Sequence, residues 1–508
     1  MPLMYCHAKL KNISQHTVIS AHLFLPDYSP MNRDSFYPAI ACFPLLLMLA
    51  GCAPMHETRQ ALSQHTLAVQ VDTAFPTALK NGWPDSQWWL EYHDDQLTSL
   101  INNALQNAPY MQVAEQRIQL AEAQAKAVAT QDGPQLDFSA DMERQKMSAE
   151  GLMGPFALND PAAGTTGPWY TNGTFGLTAG WHLDIWGKNR AEVTARLGTV
   201  KARAAEREQT RQLLAGSVAR LYWEWQTQAA LNTVLQQIEK EQNTIIATDR
   251  QLYQNGITSS VEGVETDINA SKTRQQLNDV AGKMKIIEAR LNALTNHQTK
   301  SLKLKPVALP KVASQLPDEL GYSLLARRAD LQAAHWYVES SLSTIDAAKA
   351  AFYPDINLMA FLQQDALHLS DLFRHSAQQM GVTAGLTLPI FDSGRLNANL
   401  DIAKAESNLS IASYNKAVVE AVNDVARAAS QVQTLAEKNQ HQAQIERDAL
   451  RVVGLAQARF NAGLIAGSRV SEARIPALRE RANGLLLQGQ WLDASIQLTG
   501  ALGGGYKR

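Results

Sequence analysis

Apolar positions along this chain change period from helical to alternating and back, and the whole change recurs about 205 residues later. Leu97, Leu100, Ile101, Ala104 and Leu105 fall at helical spacing behind Asp94 and Asp95. Asp95 is the expected N-cap, because a carboxylate there accepts an otherwise unpaired backbone N–H. A second helix is expected over 111–130, and Gly133-Pro134 ends it. From Leu136 to Met142 apolar and polar residues then alternate strictly, which reads as a strand with one oily and one wet face. A Gly-, Pro- and Thr-rich loop over 148–172 leads to a second strand, in which Phe175, Leu177, Ala179, Trp181, Leu183 and Ile185 alternate with smaller or polar residues. After Pro354 the pattern returns with Ile356, Leu358, Ala360 and Leu362. A loop near Asp371 follows, then Val382, Ala384, Leu386, Leu388 and Ile390. Met359 and Phe361 interrupt the third strand.

Each pair of strands runs into a long stretch without proline, 64 residues over 190–253 and 64 over 397–460. At about 1.5 Å per residue each is roughly 96 Å of helix. Helices of that length need neighbours throughout. Val200, Ala204, Leu213, Leu214, Val218, Leu221, Leu231 and Leu235 supply a seam at threes, fours and sevens, predicting coiled-coil packing. Gly256 in Tyr253-Gln-Asn-Gly256 and Gly463 in Phe460-Asn-Ala-Gly463 stand where each helix must reverse, as glycine C-caps at two hairpin tips.

The copies can be aligned directly. Residues 175–190 (FGLTAGWHLDIWGKNR) match 380–395 (MGVTAGLTLPIFDSGR) in their T-A-G core and closing arginine. Two copies give four strands, too few to close a barrel, and an open sheet with one apolar face leaves its edges unpaired. The smallest membrane barrels have about 8 strands, so several protomers would each contribute four. Trp169, Tyr170 and Trp186 flank the second strand as an interfacial girdle would. The soluble alternative is a small sheet capped by the helices.

Charge narrows the partners. With 46 basic and 48 acidic residues, and no basic stripe, nothing favours a nucleic acid as partner. The three cysteines are more informative, since none follows Cys52. Leu49-Ala-Gly-Cys52 closes the apolar stretch 39–50 as a lipobox, which predicts cleavage before Cys52 and lipidation of its thiol. Ala53 lacks the aspartate character that retains lipoproteins at the inner membrane, so outer-membrane sorting is expected. The expected organisation is an upstream extension over 1–30, a signal peptide from Met31 over 31–51 and a lipidated tether over 52–90. Repeat one follows over 91–300, with its hairpin at about 135–186. A proline-bearing linker over 301–317 joins it to repeat two over 318–508, with its hairpin at about 355–391.

No catalytic set stands out. The histidines lack metal-ligand spacing, and there is no Gly-x-Ser-x-Gly or Walker loop, so neither an enzyme nor a cofactor is expected. His182 falls on the wet face of strand two, as a pore-lining residue would. Residues 498–505 (LTGALGGG) read as a helix end followed by a flexible terminus.

The tryptophan pair Trp88-Trp89 through Pro134, the two strand-to-helix junctions, the Tyr253 and Phe460 hairpins and the Leu-Gly-Gly-Gly tail together resemble the outer-membrane factor family, the TolC-like efflux ducts, in its lipoprotein branch. The resemblance implies a mainly α chain with membrane β: a homotrimer whose twelve strands, four per protomer, form one transmembrane β-barrel continued by a long α-helical coiled-coil barrel. It implies a periplasmic adaptor and an inner-membrane efflux pump as partners, with drugs and other toxic small molecules as cargo. In that family acidic residues after the hairpin glycines narrow the periplasmic entrance. The matching positions here are Glu262, Glu265, Arg469 and Glu472, of which Arg469 departs from the acidic pattern. Two other readings stay open at this point: an exit duct for secreted protein, and a periplasmic coiled-coil lipoprotein that spaces the envelope.

Overall fold

The computed structural model describes residues 62–63, 83–146, 148, 169–257, 259–296, 302–311, 324 and 326–506. The signal, the lipobox with Cys52, and most of the predicted tether lie outside them. The helices are α1 (Asp95–Asn107), α2 (Pro109–Ala129), α3 (Lys188–Gln254), α4 (Ser260–Thr295), α5 (Ala329–Ala350), α6 (Arg395–Asn461) and α7 (Gly467–Ala501). The strands are β1 (Gln135–Lys146), β2 (Trp169–Leu183), β3 (Asp355–Ala366) and β4 (Gln378–Thr387). No helix among the described residues is long and apolar enough to cross a membrane.

The N-cap of α1 lies one residue earlier than expected. Asp94, not Asp95, is the N-cap: its Oδ1 accepts from Leu97 N at 2.8 Å. Its Oδ2 accepts from the Tyr222 hydroxyl at 2.7 Å, so one carboxylate closes a helix and ties it to α3. Burial, reinforced by Asp94, raises the Tyr222 phenol above its ordinary pKa. Trp88 and Trp89, placed by sequence at the end of the tether, are buried in the core with Leu97, Ile101, Trp223, Ile287 and Leu492.

α3 and α6 are each 67 residues long, about 100 Å at 1.5 Å per residue. The other helices pack beside them in a wall one helix thick. Next to the sheet the lateral order is α2, α3, α5, α6; towards the hairpin tips it is α4, α3, α7, α6. α7 and α5 share one lane, because Ala501 O at the end of α7 accepts from Arg328, the residue that precedes α5. The seams are made of small residues. Gly198 sits against Ser340, where a Cβ would be 3.0 Å from the serine Cβ, and Ser340 Oγ donates to Ala195 O at 2.7 Å. Tyr337 donates to Glu206 at 2.8 Å, and burial together with that carboxylate pushes its phenol up to about 12. Of the predicted seam, Leu214, Val218 and Leu235 are buried, whereas Leu213 is exposed on the opposite side of α3.

The stretch expected to be a linker is structural. Residues 302–309 lay Leu302, Leu304, Val307 and Leu309 on the core. Gln96 and the fully buried Gln226 act as side-chain surrogates for a strand partner. Gln96 brackets Lys305 (N–H to Oε1 2.9 Å, Nε2 to O 3.1 Å), and Gln226 binds Lys305 O at 3.0 Å and Val307 N at 2.8 Å. The expected flexible terminus is packed over residues 502–505. Residues 502–505 are buried, and Gly503, Gly504 and Gly505 all have positive φ, +98°, +54° and +81°. Gly504 N bonds Thr499 O and Gly503 N bonds Gly500 O, a Schellman stop that turns the chain between the start of α5 and Asp85.

Candidate functional site

The four strands form one antiparallel sheet in the order β1-β2-β3-β4. The register places Phe138 opposite Leu177, Leu177 opposite Leu362 and Leu362 opposite Met380. Alternation then assigns the faces. Leu136, Phe138, Met142, Leu177, Trp181, Leu362, Met380, Val382 and Leu386 form one continuous apolar face, every one of them exposed. The opposite face carries Asp137, Ser139, Asp141, Thr178, His182, Asn357, Gln363 and Thr383. There His182 lies 3.5 Å from Asp355, and Thr174 donates to Asp365 at 3.3 Å. Met359 and Phe361, which blurred the alternation, fall on this polar face. Phe361 lies over Gly381, where a Cβ would be 2.7 Å from the ring. Strands of 12, 15, 12 and 10 residues reach the 9–11 or so that a tilted transmembrane strand needs.

The aromatic ends partly differ from expectation. Trp169 and Trp181 mark the two ends of the apolar face of β2, with the Arg144 guanidinium 6.0 Å from the Trp169 ring. Trp181 Nε1 donates to Asp132 O, and Trp186 stacks on Tyr353 at 5.0 Å while donating to Pro354 O. Tyr170 does not belong to a lipid-side girdle: the alternation puts it on the polar face, opposite Gln145.

Each strand pair passes into its long helix through a carboxylate and a glycine. Asp184 accepts from Asn189 N and Arg190 N, ahead of N-cap Gly187 at φ +77°. Asp392 accepts from Gly394 N and Leu396 N, and N-cap Gly394 has φ +86°. The structural equivalence is thus Gly187 with Gly394, two residues out of step with the strand alignment. Ser393, at φ +56°, lies in the longer turn that absorbs the difference. Arg190 and Arg395, paired by sequence, consequently occupy different helix positions.

At the far ends Gly256 (φ +68°) and Gly463 (φ +71°) terminate α3 and α6 in matching Schellman turns. Ile257 N bonds Leu252 O and Gly256 N bonds Tyr253 O; Leu464 N bonds Arg459 O and Gly463 N bonds Phe460 O, each at 2.9 Å. Glu262 lies in the first turns of α4, with its side chain outside the described residues, and Glu265 is exposed one turn further on. Arg469 and Glu472 pair with each other at 2.7 Å on α7. Near the tips a bridge without a local sequence signal joins the two hairpins: Arg474 on α7 lies 3.3 Å from Glu241 on α3 and donates to Gln457 on α6. Arg274–Glu239 and Arg481–Glu446 clamp each hairpin internally.

An apolar sheet face left uncovered and a wall of long helices define a membrane channel protomer of the outer-membrane type. The chain belongs to the outer membrane efflux protein family, whose model matches residues 100–297 and 320–504. It is 98% identical over 478 residues to the multidrug resistance outer membrane protein MdtQ of Escherichia coli O6:H1, covering 94% of this chain and 100% of that protein. The multidrug resistance outer membrane protein MdtP of the same organism is 36% identical over 466 residues, covering 91% of this chain and 94% of that one. Among solved structures, the Campylobacter jejuni CmeC outer membrane channel superposes with TM-score 0.76 at 18% identity over 90% of this chain and 95% of that one. The Vibrio cholerae outer membrane protein VceC does so with TM-score 0.70 at 26% identity over 84% and 100%.

Proposed function

We propose that the chain is one protomer of a homotrimeric outer-membrane exit duct in a tripartite multidrug efflux system. The carrying observation is the four-stranded sheet, with both edges unpaired and its apolar face uncovered among the described residues, continuous with two helices of 67 residues. Three copies close twelve strands into an edgeless barrel in the lipid, and their walls of helices continue the bore through the periplasm. A periplasmic spacer would have no use for such a sheet. Transport is passive here, driven by an inner-membrane pump through a periplasmic adaptor, and the names of the MdtQ and MdtP relatives support drugs as cargo.

Lipidation at Cys52 is part of the same reading. Leu62 N binds Asn408 and Ser63 O binds Asn415 on α6, so the tether is held at the upper part of that helix. Ten residues separate Cys52 from Leu62, enough for at most about 36 Å of extended chain. Glu262, Glu265, Arg469 and Glu472 form the periplasmic gate in this reading, with the Arg469–Glu472 pair lowering the negative charge of the entrance.

The test is assembly and conduction together. Extracted from outer membranes, the protein runs as a heat-modifiable trimer, conducts ions in planar bilayers and restores drug resistance to an efflux-deficient strain. A soluble elongated monomer obtained on removing the lipid would overturn the proposal.

A further inference from the structure

On the side of α3 turned away from the core, α3, α7 and α6 enclose a groove of about 770 Å³. That is the size of a drug-binding cavity. Its floor is tight: a Cβ on Gly489 of α7 would lie 2.5 Å from Thr227 Oγ1 on α3. Its orientation follows from what covers the other side. Tyr222 and Gln226 on α3 bond Asp94 and Lys305 O, so α1 and the 302–311 segment cover that face. Placed inside a ring of protomers, these elements would plug the bore. The covered face therefore points outward, and Arg220 and Glu224, on the opposite face of α3 at helical spacing, look into the tunnel.

The groove is polar and incompletely satisfied. Two of its cations are compensated locally: Arg220 pairs with Asp493, and Arg427 lies 3.1 Å from Asp424. Two opposite charges are not. Glu224 on α3 and Lys438 on α6 are exposed and have no ion-pair partner among the described residues. Behind the groove, the Trp223 indole N–H and Gln228 Oε1 have no hydrogen-bond partner among the described residues and are closed to solvent. Buried polar atoms normally find partners. The two charged walls flank α7, so they stand roughly two helix spacings, about 16–20 Å, apart between axes. Long side chains narrow that gap to the length of a small drug.

We propose that this groove is a resting site in the tunnel wall for amphoteric, drug-sized molecules, with an ammonium against Glu224 and a carboxylate against Lys438. The proposal rests on the duct reading, since it assigns a stage on the path of the cargo. Substrates carrying both charges dwell there, whereas singly charged ones lack one of the two anchors.

The probe is ciprofloxacin, which carries an amine and a carboxylate, compared with its methyl ester, by equilibrium titration of the detergent-purified full-length trimer. The expected result is saturable binding at one site per protomer. Glu224→Gln and Lys438→Gln each weaken it about five-fold, the value of one partly exposed ion pair, and the ester binds wild type no better than the acid binds Lys438→Gln. Absence of saturable binding to the wild type, binding by either variant as tight as by the wild type, or equal binding of acid and ester to the wild type would each overturn it. Bilayer conductance of the wild type is recorded alongside. A conducting trimer that does not bind the probe refutes the groove alone, and a protein that does not conduct refutes the duct.

Discussion

Alanine substitutions along Gly503, Gly504 and Gly505 separate backbone strain from steric collision within three consecutive residues. All three have positive φ, which costs an L-residue roughly 1–2 kcal/mol. At Gly504 that is nearly the whole effect, because the nearest atom to a new Cβ is Gln212 Cγ at 3.2 Å, in a flexible side chain. At Gly503 the Cβ would fall 2.0 Å from Arg327 O, and at Gly505 2.0 Å from Asp85 O and 2.4 Å from Ser86 N. Backbone on both sides would have to move, adding about 1–3 kcal/mol or more. Gly503→Ala and Gly505→Ala should therefore each cost about 2–5 kcal/mol, and Gly504→Ala about 1–2 kcal/mol. Membrane trimers unfold irreversibly, so the readout is the temperature of heat dissociation at one fixed scan rate. A Gly505→Ala trimer as heat-resistant as wild type, or Gly504→Ala as the weakest of the three, would show that the tail is not clasped as described.

Val382→Lys at the middle of β4 should cost about 2–4 kcal/mol and block trimer recovery from membranes, while Thr383→Lys on the polar face folds and shifts ion selectivity; equal recovery would refute the face assignment. Tyr222→Phe removes a hydrogen bond to the Asp94 carboxylate and should lower stability by about 1.5–3 kcal/mol at neutral pH. Because the folded-state pKa of Tyr222 is raised, its contribution is complete below pH 10 or so and is lost as pH rises further; Tyr222→Phe should flatten that alkaline limb, and an unchanged pH profile counts against it. Arg474→Ala should leave overall stability within about 1 kcal/mol, since the Glu241 pair is partly exposed, yet speed hydrogen exchange at both tips; unaltered exchange would mean the bridge does not hold the hairpins together. Arg469→Ala and Glu262→Ala should each change single-channel conductance or cation preference, and no change in either would remove the proposed gate.

The legible parts of this fold are those written locally. Leu136 to Met142 alternates because one face meets lipid and the other water, so the sequence carries the assignment itself. Gly256 and Gly463 are readable because each occupies a left-handed position that strongly favours glycine. The T-A-G match misled in one respect: it aligned the strands correctly but carried the register through a turn that is two residues longer in the second copy. The clasp of residues 502–505 and the packing of 302–311 leave no local signature, because their partners, Asp85, Arg327, Gln96 and Gln226, are remote in sequence. The Arg474–Glu241 bridge was missed for the same reason, with 233 residues between its ends.

The equal 67-residue lengths of α3 and α6 survive the unequal turns that precede them. Each added residue would swing everything beyond it by about 100° around the helix axis and lower the tip by 1.5 Å. A tip out of step with its counterpart would leave the ring of hairpins ragged. Lengthening this protein to suit a deeper envelope thus demands matched insertions near whole heptads in both long helices and in the α4 and α7 segments that return beside them, so its span can change only in coarse, coordinated steps of about 10 Å.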